Sequence, residues 1–332
     1  MADSLYRVIL GRRPTKAENF SAAVKIGIPS MFEARISEML NSREFQIMKL
    51  PGLIANATQD WGGKHVFFLH IPKSAGTSVR LALIDALGIP AFDVYSRNEQ
   101  MREIARNSDN KFWPLYVGHE NISFFPESYS GITVFRESRS RVLSLYRQNS
   151  RDAIIDDPSE IDQAVFQEMR RKALKVFSTP FGDWLIRPNL VTSMEFFIPS
   201  KMFGPKGLKS QEFKTYVDDL ESQRVEELLN ESLTRFSHAA WSHDEPAILK
   251  AISGISEREI TELPHENIYL NLEGYPPQIL DKHTLAKLNS IQEKEAVLFK
   301  VAHEHGLVPL LSKSEADDLF KITAKRLGFT FA

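Results

Sequence analysis

One stretch limits what this chain can fold into more than any other: residues 65–80, His-Val-Phe-Phe-Leu-His-Ile-Pro-Lys-Ser-Ala-Gly-Thr-Ser-Val-Arg. Val66, Phe67, Phe68, Leu69 and Ile71 form a nearly continuous apolar run, the pattern of a strand buried on both faces of a parallel sheet. Pro72 stops that strand. Val79, Ala82, Leu83, Ala86 and Leu87 then recur at helical spacing, so a helix is predicted to start near Thr77. A buried strand, a tight turn and a helix in that order predict an α/β fold: a P-loop-like parallel sheet flanked by helices.

The turn itself favours anions. Backbone N–H groups at a helix N-terminus lack partners and sit at the positive end of the macrodipole. Gly76 lets the backbone approach an oxygen closely; Ser74, Thr77 and Ser78 add hydroxyls, and Lys73 adds a full charge. The lysine precedes the glycine, whereas the Walker pattern places it afterwards, which argues against an ATP- or GTP-cleaving loop. The alternative is an ordinary strand-turn-helix whose serines cap the helix.

At these residues the chain resembles a known family. His-Ile-Pro-Lys-Ser-Ala-Gly-Thr-Ser after an apolar strand is similar to the 5'-phosphosulfate loop of sulfotransferases, in particular the carbohydrate branch that includes heparan sulfate 2-O-sulfotransferase. The resemblance implies 3'-phosphoadenosine 5'-phosphosulfate (PAPS) as donor and a carbohydrate or glycoconjugate as acceptor. It also implies that Lys73, Ser74, Ala75, Gly76, Thr77 and Ser78 hold the 5'-phosphosulfate end.

A second strand-helix unit strengthens the resemblance. Gly131-Ile132-Thr133-Val134-Phe135-Arg136 reads as a buried strand ending in arginine, and a helix with apolar Val142, Leu145 and Tyr146 follows. At 100° per residue, Ser140, Ser144 and Arg147 fall on another face, so Arg136 and Ser144 are expected to converge on one anion. This stretch resembles the family's 3'-phosphate motif, with Arg136 and Ser144 at the phosphate-binding positions and Arg141 and Tyr146 at accompanying ones. Glu137 and Ser138 depart from the usual Asp and Pro. The guanidinium fork of arginine suits a phosphate because it can bind two oxygens together. Both motifs end strands at their C-terminal edge, where ligands of open α/β sheets bind.

Residues 112–120 read as a strand ending in Gly118-His119-Glu120. The carbohydrate sulfotransferases carry a Gly-His pair after such a strand, and the match makes His119 the base that deprotonates the acceptor hydroxyl. Imidazole titrates near working pH and suits that role. Heparan sulfate 2-O-sulfotransferase has a second histidine two residues earlier, where this chain has Val117, so His119 acts alone or Glu120 shares the task.

Elsewhere the signals are broader. Residues 1–50 read as a small all-helical accessory subdomain, similar to a bacterial helical repeat module, and 51–64 as a Pro- and Gly-containing linker. Residues 65–332 then form the catalytic domain, of which 151–245 reads as a mostly helical acceptor-side region. Its stripes include Val225, Leu228, Leu229, Leu233 and Phe236, and a last long helix is expected over about 284–304. Forty-one basic against 43 acidic residues give a net charge of −2 and no pull toward nucleic acid. The chain has no cysteine, which is compatible with the cytoplasm, and no apolar run reaches about 18 residues, so no integral membrane segment is expected. The animal members of the resembling family are Golgi membrane proteins, so the resemblance implies a bacterial-type enzyme. No Cys cluster or His-Glu-x-x-His accompanies its nine histidines, and no metal is expected. Two other readings stay open: a nucleotide-dependent kinase on a related phosphate-loop fold, and a non-catalytic nucleotide- or glycan-binding protein.

Overall fold

The computed structural model describes residues 39, 63–88, 91–94, 114–151, 153, 163–187, 190–199, 211–264 and 275–332. The expected helical subdomain 1–50 and the linker therefore lie outside the described residues, apart from Met39, Gly63 and Lys64.

The described chain runs β1 (Val66–Leu69), α1 (Gly76–Leu87), β2 (Phe92–Val94), β3 (Leu115–Gly118), β4 (Ser130–Phe135) and α2 (Ser138–Arg151). It continues through α3 (Gln163–Phe177), α4 (Phe181–Leu185), α5 (Gln211–Asp218), α6 (Ser222–Leu233), β5 (Phe236–Trp241) and α7 (Glu245–Ser256). It ends in β6 (Gln278–Leu280), α8 (Lys282–Glu304), α9 (Lys313–Arg326) and β7 (Phe329–Phe331). Five strands form one sheet in the order β2-β3-β1-β4-β5, and every pairing in it is parallel. The α/β architecture with a helix-flanked parallel sheet is thus present. Among the described residues, no helix is long and apolar enough to cross a membrane.

β1 is central because its sequence has no polar face. Val66 and Phe68 point to one side, where they pack with Val79, Leu83 and Leu87 of α1 and Ile248 and Ile252 of α7. Phe67 and Leu69 point to the other, against Leu228 and Leu229 of α6 and Leu298 and Phe299 of α8. A third apolar cluster joins α2, α4, α8 and α9 to the β6-β7 pair. Strand order reverses around β1, with β3 on one side and β4 on the other. The loops leaving all three strands therefore meet at one edge of the sheet.

One expectation needs correction. Phe236 does not extend the helical stripe of Val225, Leu228, Leu229 and Leu233 that the sequence pattern predicts; it opens β5. The helix ends at Leu233, and Phe236 instead fills the apolar layer beside Phe67, with ring centroids 5.2 Å apart. The region 151–245 accordingly contributes a sheet strand as well as helices.

Candidate functional site

The loop after β1 is built around its backbone. Lys73 and Ala75 have φ of 71° and 58°, left-handed values that L-residues rarely adopt. Ala75 is the N-cap of α1 and no side-chain hydrogen bond caps the helix, so the serines do not serve as ordinary caps. The amide groups of the first turn stay available to an anion. Ser74 is buried, and its Oγ has no hydrogen-bond partner among the described residues. Lys73 Nζ crosses the cleft to donate to Gln148 Oε1 at 3.2 Å.

The β4–α2 unit supplies the opposite wall. Arg136 donates from Nη1 to the carbonyl oxygen of Lys73 at 2.9 Å, bracing the loop in its left-handed turn. Glu137, which stands where the resembling sulfotransferase motif has Asp, accepts from the N–H groups of Arg139 and Ser140 at 3.2 and 2.7 Å and thereby caps α2. The departure preserves the carboxylate and its helix-start role.

Of the three polar residues expected on one face of α2, the structure brings only Ser144 to the cleft. Ser140 Oγ donates to the Leu319 carbonyl at 3.3 Å instead. Arg147 is buried, donates from Nε to the Leu327 carbonyl at 2.8 Å, and lies over the rings of Tyr275 and Phe329. A buried guanidinium takes backbone carbonyls and aromatic faces as partners when no carboxylate is near. Arg141 and Tyr146 are structural too: Arg141 pairs with Glu295 Oε1 at 3.3 Å, and Tyr146 donates to the Thr179 carbonyl.

His119 follows β3. Its Nδ1 lies at hydrogen-bond distance from the carbonyl oxygen of His70. A carbonyl can only accept, so Nδ1 carries the proton and Nε2 is the basic nitrogen of the neutral ring. Glu120 is buried and is not among the residues lining the cleft, so the expectation that it shares the base's task gains nothing from its position. The next residue, Asn121, fixes the turn: its amide donates to the Glu195 and Ile198 carbonyls at 2.9 and 2.7 Å. The 190–199 stretch is thereby tied to the turn that follows His119.

These parts line one cleft of roughly 660 Å³, within the usual range for small-molecule sites, about 300–1,000 Å³. Lys73, Ala75, Gly76, Thr77, Ser78, His119, Arg136 and Ser144 all line it; of the expected site residues, Ser74 and Glu120 do not. Sequence reasoning missed Gln148 and Arg151 on α2, Thr323 and Arg326 on α9, and His70. Gln148 and Arg151 stand four and seven residues beyond Ser144, so the helical period could have found them. Arg326 arrives from the far end of the chain with no local signal.

The electrostatics are one-sided. No Asp or Glu is among the described lining residues. Burial, then the charges of Arg136 and Arg151, hold the Lys73 ammonium down to about 8. Burial, then Arg326, lowers Arg136 to about 10, with Arg141 adding to this and Glu137 opposing it. Cations whose charge is disfavoured by burial first and by one another second make a place where an anion is stabilised. With a basic imidazole nitrogen in the same cleft, the site can bind a phosphorylated donor and remove a proton from a neutral nucleophile. The donor set present (amides of a helix start, hydroxyls, one ammonium and three guanidinium groups) fits an anionic ligand such as one bearing phosphate groups. Comparisons with models of protein families, with curated proteins and with solved structures return no match, so the residues and their geometry carry the functional argument.

Proposed function

We propose that this domain is a sulfotransferase that moves a sulfuryl group from 3'-phosphoadenosine 5'-phosphosulfate to a hydroxyl of a carbohydrate or glycoconjugate. The observation that carries the reading is the convergence of Lys73, His119 and Arg136, which follow three adjacent parallel strands, and Ser144 of α2 on one cleft with no carboxylate among its described lining residues. The two motifs that resemble the family supply the donor's identity, and the Gly118-His119 pair supplies the acceptor class.

In this reading, Lys73 and the amides of the first turn of α1 hold the 5'-phosphosulfate, while Arg136 and Ser144 hold the 3'-phosphate and set the register. Nε2 of His119 takes the hydroxyl proton. The electron pair of that O–H bond forms the new O–S bond, and the pair of the breaking S–O bond leaves on the 5'-phosphate oxygen. Charge growing on that oxygen is met by Lys73 and the helix amides, which are in place before the reaction begins. The acceptor side is assigned to the helical region 151–245, whose 190–199 stretch Asn121 ties to the turn after His119.

Calorimetric titration with 3'-phosphoadenosine 5'-phosphate, beside ADP with and without Mg²⁺, tests the donor. Selective binding that weakens roughly 10- to 100-fold in Arg136→Ala is expected. Equal or tighter binding of ADP with Mg²⁺ sinks the reading in favour of a kinase. Transfer of labelled sulfate to a glycan panel tests the reaction: His119→Ala should retain nucleotide and lose transfer, and an inert His119→Ala change would favour a non-catalytic binding protein.

A further inference from the structure

Val117 stands where the resembling enzymes have a second histidine, and it is fully buried in the apolar layer that packs on α1. A second imidazole nevertheless lies beside the base, and it comes from another strand. His70, the residue after β1, lines the cleft together with His119, and the two ring centroids are 4.0 Å apart at 44°.

His70 is held on its remaining sides. Its ring stacks on Phe68, with centroids 5.4 Å apart and planes at 9°. Its Nε2 fills the space that a side chain on Gly76 would take, since a Cβ built there would lie 1.7 Å away. Only glycine at position 76 leaves room for this ring. The backbone carbonyl of the same residue accepts the His119 Nδ1 proton. One residue therefore contacts His119 twice, through a carbonyl that sets the tautomer and through a ring that bounds the imidazole.

We propose that His70 is the positioning residue for the base, its clamped ring forming the wall that aims His119 Nε2 at the acceptor hydroxyl. The groups facing His70 are His119 after β3, Lys73 of the loop and Arg80 of α1. Burial first, then these three charges, holds the His70 imidazole well below its ordinary range, so it stays neutral. Two imidazolium rings in contact repel. The proton taken from the hydroxyl consequently rests on His119 alone. The proposal rests on the sulfuryl-transfer reading for the nature of the hydroxyl, while the ring geometry stands apart from it.

The test compares the full chain with its His70→Ala and His70→Phe variants by three measurements. Ring-nitrogen magnetic resonance reads the His119 tautomer without turnover, calorimetry with 3'-phosphoadenosine 5'-phosphate reads the integrity of the site, and the pH profile of kcat reads the base. Wild-type His119 should show the Nδ1–H tautomer alone. In His70→Ala the carbonyl acceptor persists but no ring keeps the imidazole against it, so the ring should turn away part of the time and show an average of two tautomers. In His70→Ala, kcat should fall on the order of 100-fold with nucleotide affinity retained, as expected for a misaimed reacting group. His70→Phe, which restores a ring, should recover both the single tautomer and most of kcat. An unchanged His119 spectrum in His70→Ala overturns the proposal, and so does a kcat loss matched by an equal loss of nucleotide affinity. Disappearance of the base's pH limb in His70→Phe also overturns it, because His70 would then be the base. Should alanine prevent folding, His70→Phe and His70→Gln decide: a single tautomer only with phenylalanine supports the wall, and any other pattern removes it. The expected spectra in a protein with no sulfuryl transfer would sink the transfer reading and leave the positioning of His119 standing.

Discussion

The β4–α2 unit presents arginine and serine in two directions, to opposite electrostatic ends. On its buried side, Ser138 Oγ donates to Glu295 Oε2 at 2.6 Å, Arg141 pairs with Glu295 Oε1, and the Ser193 amide donates to the same carboxylate. Glu295 is fully buried on α8, and it ties together α2, α8 and the 190–199 stretch. On the cleft side, Arg136 and Ser144 share the space with Lys73, Arg151 and Arg326, and no carboxylate is among the described lining residues. Residue type does not separate the two sides; what Arg141 and Arg147 meet on the buried side (a carboxylate, or carbonyls and ring faces) differs from what Lys73 and Arg136 meet in the cleft, where neighbouring cations oppose their charge. A buried arginine with a carboxylate is part of the scaffold, whereas arginine and lysine pressed against other cations mark a place for an anion from outside.

The comparison breaks most visibly at Glu295. Glu295→Ala leaves Arg141 buried without its counter-charge, a change expected to cost about 3–5 kcal/mol in denaturant unfolding. Glu295→Gln keeps the shape and hydrogen-bonding capacity and should cost less. A loss below about 1 kcal/mol for alanine would mean that the buried pair is not what holds these elements.

On the cleft side the same kind of change should act on binding instead. Arg136→Ala removes charged hydrogen bonds worth about 1.5–3 kcal/mol, so affinity for 3'-phosphoadenosine 5'-phosphate should fall roughly 10- to 100-fold by calorimetry. Stability without ligand should change by less than about 1 kcal/mol, because the loop brace to Lys73 is lost while repulsion from neighbouring cations is relieved. A large loss of stability with unchanged affinity would put Arg136 in the scaffold and erase the distinction.

Lys73 sharpens the comparison through pH. Folding holds its ammonium down to about 8, while an unfolded lysine titrates near 10.4, roughly. Between those values the unfolded chain binds more protons, so stability of the ligand-free protein should rise with pH across that window. Anion binding runs the other way. It uses the ammonium form, so affinity should fall as pH rises through about 8. Lys73→Met should flatten both dependences. A nucleotide affinity that stays level from pH 7 to 10 in the unchanged protein, by calorimetry at fixed ionic strength, would remove Lys73 from the anion site.

Much of the cleft side was legible because its signals are local. The run of Val66, Phe67, Phe68 and Leu69 specifies a strand with no solvent face, the stripe from Val79 to Leu87 specifies the helix, and Lys73 and Gly76 lie between them. The scaffold side was not legible. Glu295 lies more than 150 residues from its partners Ser138 and Arg141. A glutamate inside a helical pattern reads as solvent-facing until a buried arginine is placed opposite it. The same difficulty hid Arg326 and sent Arg147 to the wrong side, since helical period gives a direction and says nothing about what waits there. His70 was passed over for another reason: it sits in the motif's first position, and its partner His119 is brought near only by the β1–β3 pairing.

The smallest expected effect is the most discriminating, because it uses two serines four residues apart on one helix. Ser144 lines the cleft, whereas Ser140 Oγ donates to the Leu319 carbonyl. One hydrogen bond is worth about 0.5–1.5 kcal/mol, so Ser144→Ala should weaken 3'-phosphoadenosine 5'-phosphate binding a few-fold to about tenfold, with little change in melting. Ser140→Ala should leave nucleotide affinity alone and lower stability slightly, since its 3.3 Å bond is long. Equal effects on affinity would show that α2 transmits changes along its length regardless of face, and the separation between anion site and scaffold would then be one of degree. Opposite effects, with Ser140 altering binding and Ser144 altering only stability, would move the anion to the face that carries Arg147 and require the Leu327 and Leu319 carbonyls to give up their present donors.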